Sequence, residues 1–163
     1  MPQARKKADE TGKNDAISLL MQDHREVEGM FKEFEAAKKS DDEGAKSEIV
    51  KRVCAALTVH AEIEEEIFYP AVRGEIEDDD TMNEAEVEHG SIKDLVGQLE
   101  EMDPGDSLYD AKMTVLSEYV KHHVKEEEGE MFPKVKKAGL DLTALGSELM
   151  DRKREVEKTQ DAA

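Results

Sequence analysis

Four histidines, His24, His60, His89 and His123, are spread along this chain, and two of them are followed four residues later by a glutamate, Glu64 and Glu127. Imidazole nitrogens and carboxylate oxygens together form a donor set of intermediate softness that suits iron, manganese or zinc. A set this large, with carboxylates able to bridge, suits two ions. The spacing has a stereochemical reason. Residues four apart stack on one face of a helix, so His60 with Glu64, and His123 with Glu127, can address neighbouring coordination positions.

The elements that must position these residues are helices. Ile17, Leu20, His24, Val27, Phe31 and Phe34 recur at steps of three and four and predict a first helix to about Lys38. After a polar turn between Ser40 and Gly44, the same alternation returns in Val50, Val53, Leu57, His60, Glu64, Ile67 and Ala71, a second helix that Pro70 is expected to bend or end. The acidic stretch from Glu75 to Asp80 reads as a solvated connection, and Thr81 with Glu84 as a capping box that opens a third helix. The seam of that helix is Met82, Ala85, His89, Ile92, Val96 and Leu99, stopped by Asp103-Pro104-Gly105. Ser107 is predicted to cap a fourth helix carrying Tyr109, Met113, Leu116, Val120, His123, Glu127 and Met131 as far as Pro133. Gly139 and Asp141 introduce a short fifth helix with Leu142, Leu145, Leu149 and Val156. Short joints between amphipathic helices predict an all-α, antiparallel, up-down-up-down four-helix bundle with this fifth helix appended.

Each of the four seams thus contains a histidine, and two contain a glutamate. Glutamate is almost never fully buried without a partner, because an unpaired carboxylate costs several kcal/mol in an apolar core. A shared partner is therefore required. At about 1.5 Å of rise per residue, the six side chains fall at matching depths from their respective turns, in one layer of the bundle. The segments around His60 and His123 also resemble each other, with Glu at +4 and +5, an aromatic at +9, Pro at +10 and Val at +12, an approximate two-fold. His122 and Glu126 form a rival pair displaced by one residue. His123 is preferred because it reproduces the proline at +10 and shares the more apolar stripe. Ferritin-type bundles repeat Glu-x-x-His instead; His89 follows Glu86 at that spacing, but Glu86 lies off the seam.

Composition narrows the setting. The chain has 163 residues, 39% of them charged, 4% aromatic, no Trp and a formal net charge of -18. That length fits one domain, read as residues 15–158 between a flexible tail at 1–14 and a C-terminal tail at 159–163. The acidic balance repels phosphate backbones and anionic headgroups, so neither nucleic acid nor membrane is expected as a partner. No apolar run approaches a bilayer span and no secretory signal is visible, which predicts a cytoplasmic protein. The lone Cys54 has no intrachain disulfide partner and reads as a small buried hydrophobe.

With His24, His60-Ala-Glu-Ile-Glu64, His89 and His123-Val-Lys-Glu-Glu127 followed by Phe132-Pro133, the chain resembles the hemerythrin-like, HHE cation-binding family over about Asp15 to Gly139, in its four-histidine subgroup. The resemblance implies that Glu64 and Glu127 bridge an oxo- or hydroxo-bridged pair of iron ions, favoured over manganese or zinc, with the histidines capping from the sides. Hemerythrins that carry oxygen reversibly have a fifth histidine one turn from the other on the third helix, where this chain has Ala85 or Lys93. Glu28, one turn after His24, and Tyr119, one turn before His123, are the candidates to fill or flank that position.

The leading functional expectation is a di-iron protein that binds or reduces dioxygen, hydrogen peroxide or nitric oxide, with catalase-like disproportionation as the enzymatic version. The alternative is an iron- or oxygen-responsive regulatory bundle acting through an unidentified protein partner, since metal binding can stabilise a fold that the apo form lacks.

Overall fold

The computed structural model describes residues 15–162; the tail predicted at 1–14 lies outside the described residues. Asp15 opens the first helix by accepting the Ser18 amide at 2.8 Å, and α1 runs Ala16–Lys39. Asp42 repeats the device on Ala45 for α2, Glu43–Ile63. A π-helical turn, Glu64–Phe68, carries the second helix on into α3, Tyr69–Ile76, where Glu77 in the left-handed region ends it. After α4, Asp79–Glu100, comes α5, Tyr109–Glu126, extended by a second π turn, Glu127–Met131, into α6, Phe132–Lys137. Finally α7 spans Leu142–Ala162.

Several local expectations are corrected. Neither Pro70 nor Pro133 ends its helix. Proline lacks an amide hydrogen and crowds the carbonyl of the preceding turn. Here the Tyr69 amide reaches back to Glu64 O and the Phe132 amide to Glu127 O, so a wider turn sits directly ahead of each ring. The third helix is capped by Asp78 rather than Thr81: Asp78 accepts the Thr81 amide at 3.2 Å and its hydroxyl at 2.7 Å. Ser107 does not cap the fourth, since the turn before Tyr109 is closed by backbone bonds and by Asp106 accepting the Asp103 amide. The fifth helix, expected to be short, has 21 residues and absorbs most of the predicted C-terminal tail.

The first helix packs against α2 and α5, α2 against α4, and α4 against α5, closing a four-helix square; α7 lies along the outside of α1 and α2. Two apolar clusters fill the interior. One contains Val27, Leu57, Ile92 and Val120, the other Leu20, Ile63, Ala85 and Met131. On α1, α2 and α4 the site histidine stands between a residue of one cluster and a residue of the other, and on the fourth bundle helix the second cluster is reached through the π turn at Met131, so the polar layer is sealed above and below. Each fully buried Ile, Leu or Phe in these clusters contributes about 1.5–3 kcal/mol, and that apolar burial offsets the cost of a polar centre.

Candidate metal centre

The six seam residues meet in one layer as two groups of four that share both glutamates: His24 and His60 with Glu64 and Glu127, and His89 and His123 with the same two carboxylates. His60 Nε2 and His89 Nε2 each lie 3.1 Å from Glu64 Oε1. His24 Nε2 lies 3.2 Å from Glu127 Oε1, and His123 Nε2 lies 3.2 Å from Glu127 Oε2. Glu64 is 0% exposed and Glu127 1%. Each carboxylate therefore faces one imidazole from each half, as a bridging ligand must.

The outward ring nitrogens are held by a second ring of carboxylates. Nδ1 of His24 is 2.6 Å from Glu128, that of His60 2.9 Å from Asp23, that of His89 2.9 Å from Glu65, and that of His123 2.8 Å from Glu88. An ionised carboxylate only accepts, so each Nδ1 carries the proton and donates it, and the Nε2 lone pair can turn inward. The pattern was visible but unread in the sequence. The glutamates at +5 of the internal repeat, Glu65 and Glu128, support histidines of neighbouring helices. The acids just before His24 and His89, Asp23 and Glu88, support His60 and His123.

Charge inside the layer is balanced by protons. Burial by itself lowers a histidine, but the Glu64 carboxylate and Asp23 hold His60 up to about 10, and Glu127 with Glu64 raises His123 well above the ordinary histidine value. Burial raises Glu64, yet His60 and the hydrogen bonds around it keep it well below the usual carboxylate range. In the metal-free chain His60 and His123 thus hold protons beside the shared carboxylates, and a cation would displace them.

Tyr69, which the sequence reading registered only as the aromatic at +9, enters the layer directly. Its hydroxyl donates to Glu127 Oε2 at 2.6 Å and lies 3.3 Å from Glu64 Oε1, 3.2 Å from His89 Nε2 and 3.3 Å from His123 Nε2. The corresponding residue of the repeat is Phe132, which stacks on His24 and offers no polar atom. The two halves differ accordingly. Tyr69 occupies the centre of the His89/His123 half. Among the described residues the buried atoms without a hydrogen-bond partner include His24 Nε2, His60 Nε2, Glu64 Oε2 and Glu127 Oε1, one from each member of the other half. His24 and His60 approach carboxylate oxygens within ion-pair distance but without hydrogen-bond geometry, and four buried, unpartnered ligand atoms that converge in this way fit a cation.

Glu28 and Tyr119 stand apart from the centre. The Glu28 carboxylate pairs with Arg25 at 2.6 Å on the rim, and Tyr119 is 45% exposed, one position off the buried stripe of α5. His122 is 63% exposed at the side chain, lying 3.2 Å from Glu88 and 3.1 Å from Glu126 on the outside of the bundle. His123 is the residue brought into the layer.

A profile of the hemerythrin HHE cation-binding domain matches residues 15–135, most of the chain. The chain belongs to this hemerythrin HHE family. A solved structure with the same fold is that of a hemerythrin HHE cation-binding domain-containing protein from Mycobacterium kansasii, at a TM-score of 0.75, 20% identity, and coverage of 89% of this chain and 88% of that one. A curated relative, a DNA nickase from Nostoc sp., is 30% identical over 118 residues, which is 72% of this chain and 32% of the nickase. The chain thus spans about a third of that relative's length. Hemerythrin HHE domains bind metal cations, and the paired His/Glu clusters are groups able to hold one. The fifth-histidine position expected on the third helix of this hemerythrin-like chain is taken up differently. Ala85 is buried in the same apolar cluster as Tyr69, and Lys93 is turned outward to pair with Glu65 at 2.5 Å.

Proposed function

We propose that this chain holds two iron ions between its four helices and uses them to bind and reduce a small oxidant: dioxygen, hydrogen peroxide or nitric oxide. The observation that carries the reading is the sharing of Glu64 and Glu127 by two otherwise separate histidine pairs, which suits an ion in each half. His24 and His60 would hold one ion, His89 and His123 the other, with the Tyr69 oxygen a further donor to the second. Bound iron supplies the electron transfer that no side chain here can provide.

The chain's own residues bind, exclude and orient. A cavity of about 30 Å³ adjoins the histidines and is walled by Val27, Leu57, Ile92, Val120 and Val124. It has room for little more than a water or a two-atom ligand. Its apolar wall favours small uncharged molecules and keeps bulk water out, while in the metal-free chain the buried Tyr69 hydroxyl donates to Glu127 and stands at hydrogen-bond distance from Glu64. Burial and the two carboxylates raise Tyr69 well above the ordinary phenol value in the metal-free chain, so its proton is in place. With peroxide, one molecule is oxidised to dioxygen while a second is reduced to water, the catalase-like form of this activity.

No helix among the described residues is long and apolar enough to cross a membrane. The nicking activity of the Nostoc relative is not extended to this chain, because a net charge of -18 opposes a phosphate backbone. Metal analysis with an optical spectrum of aerobically purified protein tests the proposal. The expected result is about two irons per chain with near-ultraviolet absorption, bleached by anaerobic reduction and restored by peroxide. A chain isolated with a redox-inert metal, or one that consumes no oxidant when loaded with iron, refutes it.

A further inference from the structure

Every histidine of the centre leans on a carboxylate, and every one of those carboxylates has an outer partner. Glu128 meets Arg25, Glu65 meets Lys93, Glu88 meets His122, and Asp23 meets Lys153. The first three outer side chains are at least half exposed, where water and salt screen them. Lys153 differs. Its side chain is 20% exposed, and its Nζ lies 2.7 Å from Oδ1 of the buried Asp23. Oδ2 of the same carboxylate lies 2.9 Å from His60 Nδ1.

Lys153 belongs to α7, beyond the family match that ends at residue 135. Its neighbour Arg152 places Nε 2.7 Å from Glu66 Oε2, in the π turn that begins with Glu64. The fifth helix is therefore fastened at two successive residues to the acid behind His60 and to the turn carrying a shared glutamate. The other three histidines have no tie to α7 among the described contacts.

We propose that the fifth helix is part of the support of the metal centre, with Lys153 a positioning residue that fixes Asp23 and, through it, the ring of His60. The proposal rests on the reading that His24, His60, Glu64 and Glu127 hold a cation. With an ammonium on one oxygen and an imidazole on the other, the carboxylate of Asp23 cannot turn, and the His60 ring is held with Nε2 inward. Without the ammonium it keeps one partner and can rotate. The two halves of the centre consequently differ in what supports them: removing the Lys153 ammonium loosens the ion on His24 and His60 and leaves the ion on His89 and His123 in place.

The test uses the full chain loaded with Co²⁺ and compares Lys153→Met, Lys153→Arg and, as a control at an exposed outer partner, Lys93→Met. Loss of each ion to a chelator is followed through the cobalt absorption. Lys153→Met should release one ion about tenfold to a hundredfold faster than wild type and the other at the wild-type rate. Lys153→Arg should restore slow release, and Lys93→Met should resemble wild type. Exchange of the His60 Nδ1 proton, read by NMR in the metal-free chain, supplies a second measurement: protected in wild type and Lys153→Arg, unprotected in Lys153→Met. Should Lys153→Met fail to fold, Lys153→Gln carries the same comparisons. Unchanged release in a chain that takes up both ions overturns the proposal, and so does an equal acceleration in Lys93→Met. If wild type takes up no Co²⁺, the metal reading has failed separately, and unchanged protection of the His60 proton in the variant then overturns the positioning role.

Discussion

His122 and His123 are adjacent and chemically identical, so replacing each by alanine isolates what position in the bundle contributes. His123 is buried, with Nε2 3.2 Å from Glu127 and Nδ1 2.8 Å from Glu88. Its removal takes one partner from each of two carboxylates, the 1% exposed Glu127, which keeps Tyr69 and His24, and Glu88, which keeps the exposed His122. Breaking a buried pair on one side typically costs about 3–5 kcal/mol, and His123→Ala should destabilise the metal-free chain by that order. The side chain of His122 is 63% exposed, and its pairs with Glu88 and Glu126 are screened. Its replacement should stay within about 0.5 kcal/mol. Urea denaturation of the metal-free proteins measures both. In the loaded proteins, His123→Ala should lose at least one ion and His122→Ala none. Equal losses of stability or of metal from the two variants would refute the placement of His123 in the layer.

The metal-free chain should show an inverted response to alkali. His60 is raised to about 10, so the stability it contributes is complete below about pH 6.5 and is lost as the pH climbs through 10; metal uptake, which displaces that proton, should strengthen over the same window. A denaturation midpoint that rises between neutral pH and pH 10 would contradict this. On the acid side, Glu64 is held below its usual range, so its contribution persists above about pH 4.5 and disappears only as the pH falls through the lowered value; circular dichroism against pH checks it. Tyr69→Phe should retain the fold, cost the metal-free chain about 1–3 kcal/mol through the lost hydroxyl bonds, and change the visible spectrum of the iron-loaded protein; an identical spectrum would remove the Tyr69 oxygen as a donor. Cys54 is buried and its thiol is pushed up to about 12, chiefly by desolvation, so native protein should react slowly with thiol reagents and urea-unfolded protein rapidly.

What the sequence determined by itself was periodicity and spacing. Steps of three and four placed His24, His60, His89 and His123 on buried stripes, and the i,i+4 glutamates followed from helical geometry alone, because both depend on residues within one or two turns. Capping and proline effects were read less well for a related reason. Asp78 and Thr81 compete for one helix start, and Pro70 and Pro133 sit behind π turns whose extra residue leaves no trace in the apolar pattern. Tertiary structure decided which side chains cross between helices. Tyr69 reaches the layer because the wide turn after Glu64 leads into α3, whereas Glu28 and Tyr119, one turn from site histidines in sequence, face outward. The carboxylates behind the histidines come from other helices in every case, and Lys153 comes from 130 residues away. No local periodicity encodes such a partner, because the contact exists only once α7 has been laid against α1 by the burial of Leu145 and Leu149 in the core.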